Sequence, residues 1–412
     1  MQPLTRAHER RLIATALAGL AGLALAIGLG RFSYTAVLPM MQADQGLSLS
    51  AGSVLAFANL LGYLIGGLTA SRFRDQAVGC LRFAMIVVVV SLALMAVTEG
   101  VWLWSFWRLI AGVGSAWVMV MISILCLPLL NPRPNLAGWV YSGVGTGIFL
   151  GGLVCLLLVL FELSAMWAWW VLALICGLLA WFVWRQLAPP ISSVVADPKP
   201  DTAPVTAPVT TPNNVQTKPV DERRLWKLIV CYGLYGFGYI LPATYLPAQA
   251  RLLLQDHWIY GVAWPVFGLA ALLSTGFAAS LANRLGALPT WTLAHVLMAL
   301  GVLVPIVFPE LLGIVLAALA VGGTFVVITL LAMQQAHQYG GSQAPLWMAR
   351  LTTAFAAGQI LGPLAVIFLQ ERLTLSLTVA AVVLLGTAGI LFQQWRLDEK
   401  NPLLADKPDA LG

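Results

Sequence analysis

The sequence predicts an all-α polytopic membrane protein: twelve transmembrane helices in two pseudo-symmetric six-helix bundles. Three observations carry this prediction: a composition too apolar for water, apolar blocks of membrane-spanning length along the whole chain, and a six-helix unit that occurs twice. Of 412 residues, 60% are hydrophobic and 9% charged, against roughly 25% charged in an ordinary soluble domain. A soluble globular protein is excluded. Blocks of about 20 apolar residues, each long enough for a hydrocarbon core ~30 Å thick, recur from Arg11 to Trp395 and leave no room for a sizeable extramembrane domain.

The first block, 12–40, follows basic residues as a signal sequence does, but it is far longer than a signal core of about 7–15 residues, so it is expected to remain as an uncleaved first helix. Polar, Gly/Pro and charge clusters then cut the chain into further spans at 49–70, 77–98, 101–130, 136–160, 166–184, 225–248, 261–282, 288–308, 311–335, 346–369 and 374–395. The connections are short except from Gln186 to Glu222, where eight prolines and the tandem TAPVTAPV give a composition that stays extended and solvated. The predicted organisation is a six-helix bundle over 1–185, a Pro-rich cytoplasmic linker over 186–222, a second six-helix bundle over 223–397 and a cytoplasmic tail over 398–412.

With the N-terminus placed inside, the inner segments hold 18 of the 22 Lys and Arg, and the outer loops hold two, Arg251 and Arg372. That asymmetry predicts cytoplasmic termini and a cytoplasmic linker, and makes the net charge of +6 a matter of topology rather than of nucleic-acid affinity. Trp102, Trp104 and Trp107, and Trp167, Trp169 and Trp170, fall near span ends, as an interfacial belt would place them. The five cysteines include no CxxC pair and read as small core residues, not as a disulfide framework or metal site.

The halves resemble each other. GLGRFSYTAVLP (Gly28 to Pro39) aligns without a gap on GFGYILPATYLP (Gly236 to Pro247), ASRFR (from Ala70) on ANRLG (from Ala282), and Gly147 and Gly151 fall opposite Gly358 and Gly362. Equivalences at a nearly constant offset of 208 to 212 residues indicate a duplicated six-helix unit, the parallel repeat that puts a binding site near the midplane between halves. Glycines of spans 2, 5, 8 and 11 (Gly62 and Gly66; Gly143, Gly147 and Gly151; Gly276; Gly358 and Gly362) allow close backbone approach between helices, and the helices that carry them are expected to form the seam between the halves.

Twelve spans, a central linker and particular strings together resemble the major facilitator superfamily of secondary transporters. LANRLG (Leu281 to Gly286) is similar to that superfamily's G-x-L-A-D-R-x-G loop with Asn283 for Asp, and the first-half copy has Ser71 there. RLIAGVGSA (Arg108 to Ala116) resembles the span-4 pattern R-x-x-q-G-x-g-a-a, with Ala111 for Gln. GIFLGGL (Gly147 to Leu153) resembles the antiporter pattern G-P-x-x-G-G, with Ile148 for Pro. GLGRFSYTAVLPMM in span 1 and AGQILGP (Ala357 to Pro363) in span 11 resemble, more narrowly, the bacterial YbfB/YjiJ-type branch. The resemblance implies a multi-pass transporter of the bacterial inner (plasma) membrane, with spans 1, 4, 7 and 10 around a central cavity.

Arg31 lies nine residues inside the outer end of span 1, roughly 14 Å deep at about 1.5 Å per residue. An Arg at that depth costs at least ~2.5 kcal/mol on insertion scales and marks a site; the bland reading is that it only holds a gate. Arg108 lies in the outer half of span 4, with Gly112 and Ser115 on the same face. All sixteen acids fall in loops, termini or span edges. Two arginines without an intramembrane carboxylate suit an anionic substrate held by charge-assisted hydrogen bonds, so the expected function is alternating-access transport of a small organic anion or carboxylate. A proton is the expected coupling ion, carried on the substrate's carboxylate or on a His.

Tyr34, Tyr239 and Gln359 are expected to orient the ligand; Tyr239 occupies the repeat position of Arg31. Asn59, Tyr235 and His295 are secondary polar candidates: His295 is the one intramembrane His, titratable in kind, but on a span that the resemblance puts outside the cavity. The alternative keeps the fold and exports hydrophobic or zwitterionic compounds, as the antiporter-like span 5 suggests. An integral-membrane enzyme or a sensor without transport is disfavoured, because there is no HExxH, GxSxG, P-loop or metal-spaced His/Cys set. The expected partners are a small-molecule substrate, the lipid bilayer and protons, with no nucleic acid, no cofactor and a monomeric chain.

Overall fold

The computed structural model describes residues 6–130, 134–187, 222–254, 258–340, 343–370 and 372–400. Most of the Pro-rich linker, residues 188–221, and the tail from 401 onward lie outside the described residues. What is described is helical, as apolar segments must be where no water can satisfy the backbone. Spans 2 to 6 are Leu49–Ala70, Ala77–Val97, Val101–Leu130, Pro134–Leu160 and Ala165–Gln186. Spans 7 to 12 are Glu222–Leu253, Ala263–Leu285, Ala287–Val307, Leu311–Gly340, Ala344–Phe368 and Leu373–Lys400. Among the described residues eleven helices are long and apolar enough to cross a membrane, and span 8 contributes the shorter apolar stretch Trp258–Ser274.

Span 1 is not the single helix its hydropathy suggests. It runs as an α-helix over Arg6–Leu23, widens to a π-helical turn over Ala24–Leu29, and restarts as an α-helix over Ser33–Gln45. The amides of Gly30 and Phe32 reach back five residues, to Leu25 O at 2.7 Å and Ile27 O at 3.0 Å, whereas Thr35 N bonds Phe32 O, three residues back, at 3.1 Å. Such a bulge inside a helix releases carbonyls from the regular ladder and is frequent at functional sites.

The duplication is visible in the backbone. Spans 5 and 11 end in the same turn, with Glu162 and Gln370 both at φ 53° and their amides bonded to Val159 O and Ile367 O, each at 3.1 Å. Within the first half, span 1 packs on span 5 and span 2 on span 4; in the second, span 7 packs on span 11 and span 8 on span 10. The halves meet through spans 5 and 8, spans 2 and 11, and spans 1 and 7. Exchanging the halves maps that set of pairs onto itself, as a two-fold pseudo-axis between spans 1 and 7 requires.

The helices that carry the repeat glycines do form the seam, spans 5 against 8 and 2 against 11, but the glycines themselves make their close approaches within a half. Gly62 and Gly66 meet the backbone of span 4 at Leu109 and Val113; Gly143 and Gly147 meet span 1 at Leu20, Ala24 and Gly28; Gly358 meets Gly233 of span 7. These glycines therefore tighten each half internally. The seam between halves uses others: Gly145 and Gly152 lie against Leu272 and Pro265 of span 8, and Gly268 of span 8 lies against Phe149. Spacing shows that a close approach exists, not which helix makes it. A Cβ on Gly147 would overlap the backbone of Ala24 and Gly28, whereas Gly67 has nothing within 4 Å. Gly147→Val is accordingly expected to cost at least ~3 kcal/mol by overpacking against backbone and to abolish the monodisperse peak on size exclusion, with Gly67→Ala behaving as wild type.

The Trp clusters also divide. Trp102, Trp167 and Trp170 are exposed on the bundle surface and Trp107 is half-buried, whereas Trp104 and Trp169 are buried inside it, so two of the six expected belt residues are core. All five cysteines are buried, in keeping with a packing role. At the end of the bundle that carries the termini, Arg224 of span 7 pairs with Asp398 of span 12 at 2.8 Å and lies 3.5 Å over the ring of Tyr339 of span 10. The opposite end is called the far end below.

Candidate functional site

The break in span 1 builds the site. Gly30 N bonds Leu25 O, and Thr35 N turns to Phe32 O; in a regular helix these amides would serve Ala26 O and Arg31 O. Span 4 takes up the released carbonyls. Ser115 Oγ donates to Ala26 O at 2.7 Å, and the Arg108 guanidinium donates from Nη2 to Arg31 O at 2.9 Å and from Nη1 to Gly30 O at 3.1 Å. Arg108 also lies 4.8 Å over the ring of Tyr34, and Asn59 of span 2 donates to the Arg108 carbonyl at 2.8 Å. The fork of Arg108 thus holds the geometry from which Arg31 projects.

Arg31 projects across the molecule. Its Nη2 donates to Gln359 Oε1 of span 11 at 2.8 Å, and its guanidinium lies 4.4 Å over the ring of Tyr63. The residue is 6% exposed, and among the described residues no carboxylate pairs with it. Two polar atoms next to this arrangement have no hydrogen-bond partner among the described residues, Gln359 Nε2 and Tyr239 OH. A buried guanidinium, an amide N–H and a phenol form a donor-rich cluster, which is what an oxyanion accepts from.

Beyond Arg31 the halves are latched. Thr35 Oγ1 donates to Ala243 O at 2.9 Å, joining positions one repeat offset apart; Tyr245 OH donates to Ser53 Oγ at 2.6 Å; Arg251 donates to Pro39 O at 3.1 Å. The cavity bounded by Arg31, Tyr34, Asn59, Arg108, Ile240 and Thr244 holds about 20 Å³, room for roughly one water. Toward the termini end exposure rises instead. Along one face of span 11, Gln359 is buried, Phe355 half-buried and Thr352 exposed, and on the other half Tyr141 is exposed. This is a state closed at the far end. Removing the latch with Thr35→Val and Tyr245→Phe is expected to raise the population open at the far end about tenfold, taking roughly 0.5–1.5 kcal/mol per net hydrogen bond. The check is the rate at which an added maleimide labels a Thr244→Cys reporter over the five buried native cysteines.

The structure brings Arg31, Arg108, Tyr34, Asn59, Tyr239 and Gln359 together at this level. Tyr34 donates its hydroxyl to Gly52 O at 2.7 Å; like Asn59, it is bonded to backbone. Tyr232, Tyr235 and Tyr239 do share a face of span 7, stacked 5.5 and 5.6 Å apart, and Tyr235 OH donates to Phe325 O at 2.9 Å. His295 stands apart from Arg31, buried against Tyr235 with Nδ1 3.0 Å from Trp291 O. Tyr63 and Phe355 escaped the sequence reading, although each sits one helical turn from a named candidate, Asn59 and Gln359.

No curated protein matches the chain. The family profile described as "Uncharacterised MFS-type transporter YbfB" matches residues 23–393, from the last turn of the first helix to the final span. A duplicated six-helix bundle, a broken first span with a charged apex and this near-complete match lead to one conclusion: the chain is a multi-pass membrane protein that belongs to the YbfB-type family of major facilitator superfamily transporters.

Proposed function

We propose that this transporter moves a small organic anion, a carboxylate, by alternating access, and that Arg31 is the charge that receives it. One observation supports the reading above the rest: a buried guanidinium in the seam between the halves whose partners among the described residues are neutral, the amide of Gln359 and the ring of Tyr63. A buried charge held by neutral groups is retained at a cost, and an incoming anion offsets that cost by adding charge-assisted hydrogen bonds. Gln359 Nε2 and Tyr239 OH supply further donors. Arg31 and Gln359 belong to opposite halves, so an anion held there is coupled to the motion of one half against the other.

Every acid lies at a span edge, in a loop or at a terminus. A co-transported proton therefore rides on the substrate's carboxylate or on a histidine. The proposed setting is the inner membrane, with the termini in the cytoplasm, a placement supported by the distribution of Lys and Arg, and the proposed working unit is a monomer.

The test is a thermal-shift screen of the purified protein against small carboxylates, phosphates, amines and neutral compounds, beside Arg31→Gln, since a ligand that binds only the folded state raises its melting temperature. The expected result is a carboxylate hit that the variant loses. Hits confined to amines or neutral compounds, unchanged in the variant, would overturn the reading in favour of an exporter with Arg31 as a gate residue.

A further inference from the structure

We infer that the anion carries an aromatic ring: the site takes an aryl carboxylate, with the carboxylate on Arg31 and the ring between Tyr63 and Phe355. The inference rests on the proposed anion site and adds the substrate's second half. Span 2 packs against span 11 across the seam; span 2 brings the ring of Tyr63 to Arg31, and span 11 carries Phe355 one turn from Gln359. Tyr63 lies under the Arg31 guanidinium at 4.4 Å. Phe355 sits one turn from Gln359 on the side toward the termini, where the exposed Thr352 continues the same face. Both rings are half-buried, so each has surface not yet covered by protein.

The rings behind Phe355 hold it in place. It stacks on Tyr232 and Tyr235 at 4.9 and 5.4 Å, with interplanar angles of 18° and 20°. Tyr235 is in turn fixed by its hydroxyl bond to Phe325 O at 2.9 Å. One face of Phe355 is thus used up by a stack of nearly parallel rings, which sets the plane in which a further ring adds to it. Aromatic pairs favour offset stacking beyond what buried area gives, so the site distinguishes an aryl from an alkyl group of equal size.

The experiment compares equilibrium binding of benzoate and cyclohexanecarboxylate, equal in charge and nearly equal in size, to the purified full chain in nanodiscs, with Phe355→Leu and Arg31→Gln alongside. Benzoate is expected to bind about tenfold more tightly, with the preference falling to about twofold or less in Phe355→Leu and both ligands lost in Arg31→Gln. Equal affinities in the wild type, both lost in Arg31→Gln, would overturn the aryl inference and leave the anion reading standing. Failure of both carboxylates to bind the wild type would overturn the anion reading and the inference with it.

Discussion

Arg31→Gln is expected to lose carboxylate binding and transport by about 100-fold or more while keeping the melting temperature of the wild type or raising it. The two halves of that expectation have separate causes. Binding falls because a carboxylate bonded to a desolvated guanidinium gains roughly 3–5 kcal/mol from two charge-assisted hydrogen bonds, which a neutral amide does not replace. Folding does not suffer in proportion, because Arg31 is a buried charge with neutral partners, Gln359 and the Tyr63 ring. Replacing such a charge by a neutral group removes a desolvation cost. A site retained for function and not for stability is expected to behave this way. Ligand-free melting curves and binding isotherms on the same preparation check both halves.

Arg108 is expected to behave in the opposite sense. Its guanidinium donates to the carbonyls of Gly30 and Arg31, two acceptors that the π-helical turn frees from the helix ladder. Arg108→Leu leaves both without donors inside the hydrocarbon region, at about 1–3 kcal/mol each, or about 2–6 kcal/mol together. The ligand-free protein should therefore melt well below the wild type, and whatever folds should bind poorly because Arg31 is no longer held. Arg108→Lys keeps a charge and a donor but not the two-pronged fork, so partial recovery of the melting temperature is expected. The contrast between the arginines is the useful quantity: Arg31 moves affinity with stability preserved, and Arg108 moves stability first.

Much of this arrangement was legible in the sequence because the bilayer imposes a strong local rule. Twelve apolar blocks became twelve spans, and the 208-residue offset between Gly28 and Gly236 reappeared as the identical turns at Glu162 and Gln370. Arg31 and Gln359 were separate candidates 328 positions apart, and they meet in one bond. What escaped the sequence depends on partners. The break in span 1 is stabilised from span 4, through Ser115 and Arg108, and hydropathy along span 1 carries no trace of that. Gly62 and Gly147 announced close contacts, yet the contact lies inside each half, since a small residue names no neighbour. Tyr63 and Phe355 look like ordinary apolar positions until the Arg31–Gln359 bond draws attention to the ring under Arg31 and to the one a turn from Gln359.

The most direct test of the account is solute counterflow in proteoliposomes, using the labelled carboxylate that stabilises the purified wild type most, for the wild type, Arg31→Gln and the latch variant Tyr245→Phe. The account predicts accumulation in the wild type, none above empty liposomes in Arg31→Gln despite normal reconstitution, and an altered but measurable rate in Tyr245→Phe. Carboxylate counterflow in Arg31→Gln equal to that of the wild type would contradict it, because the charge in the seam would then be part of the gate and not of the site.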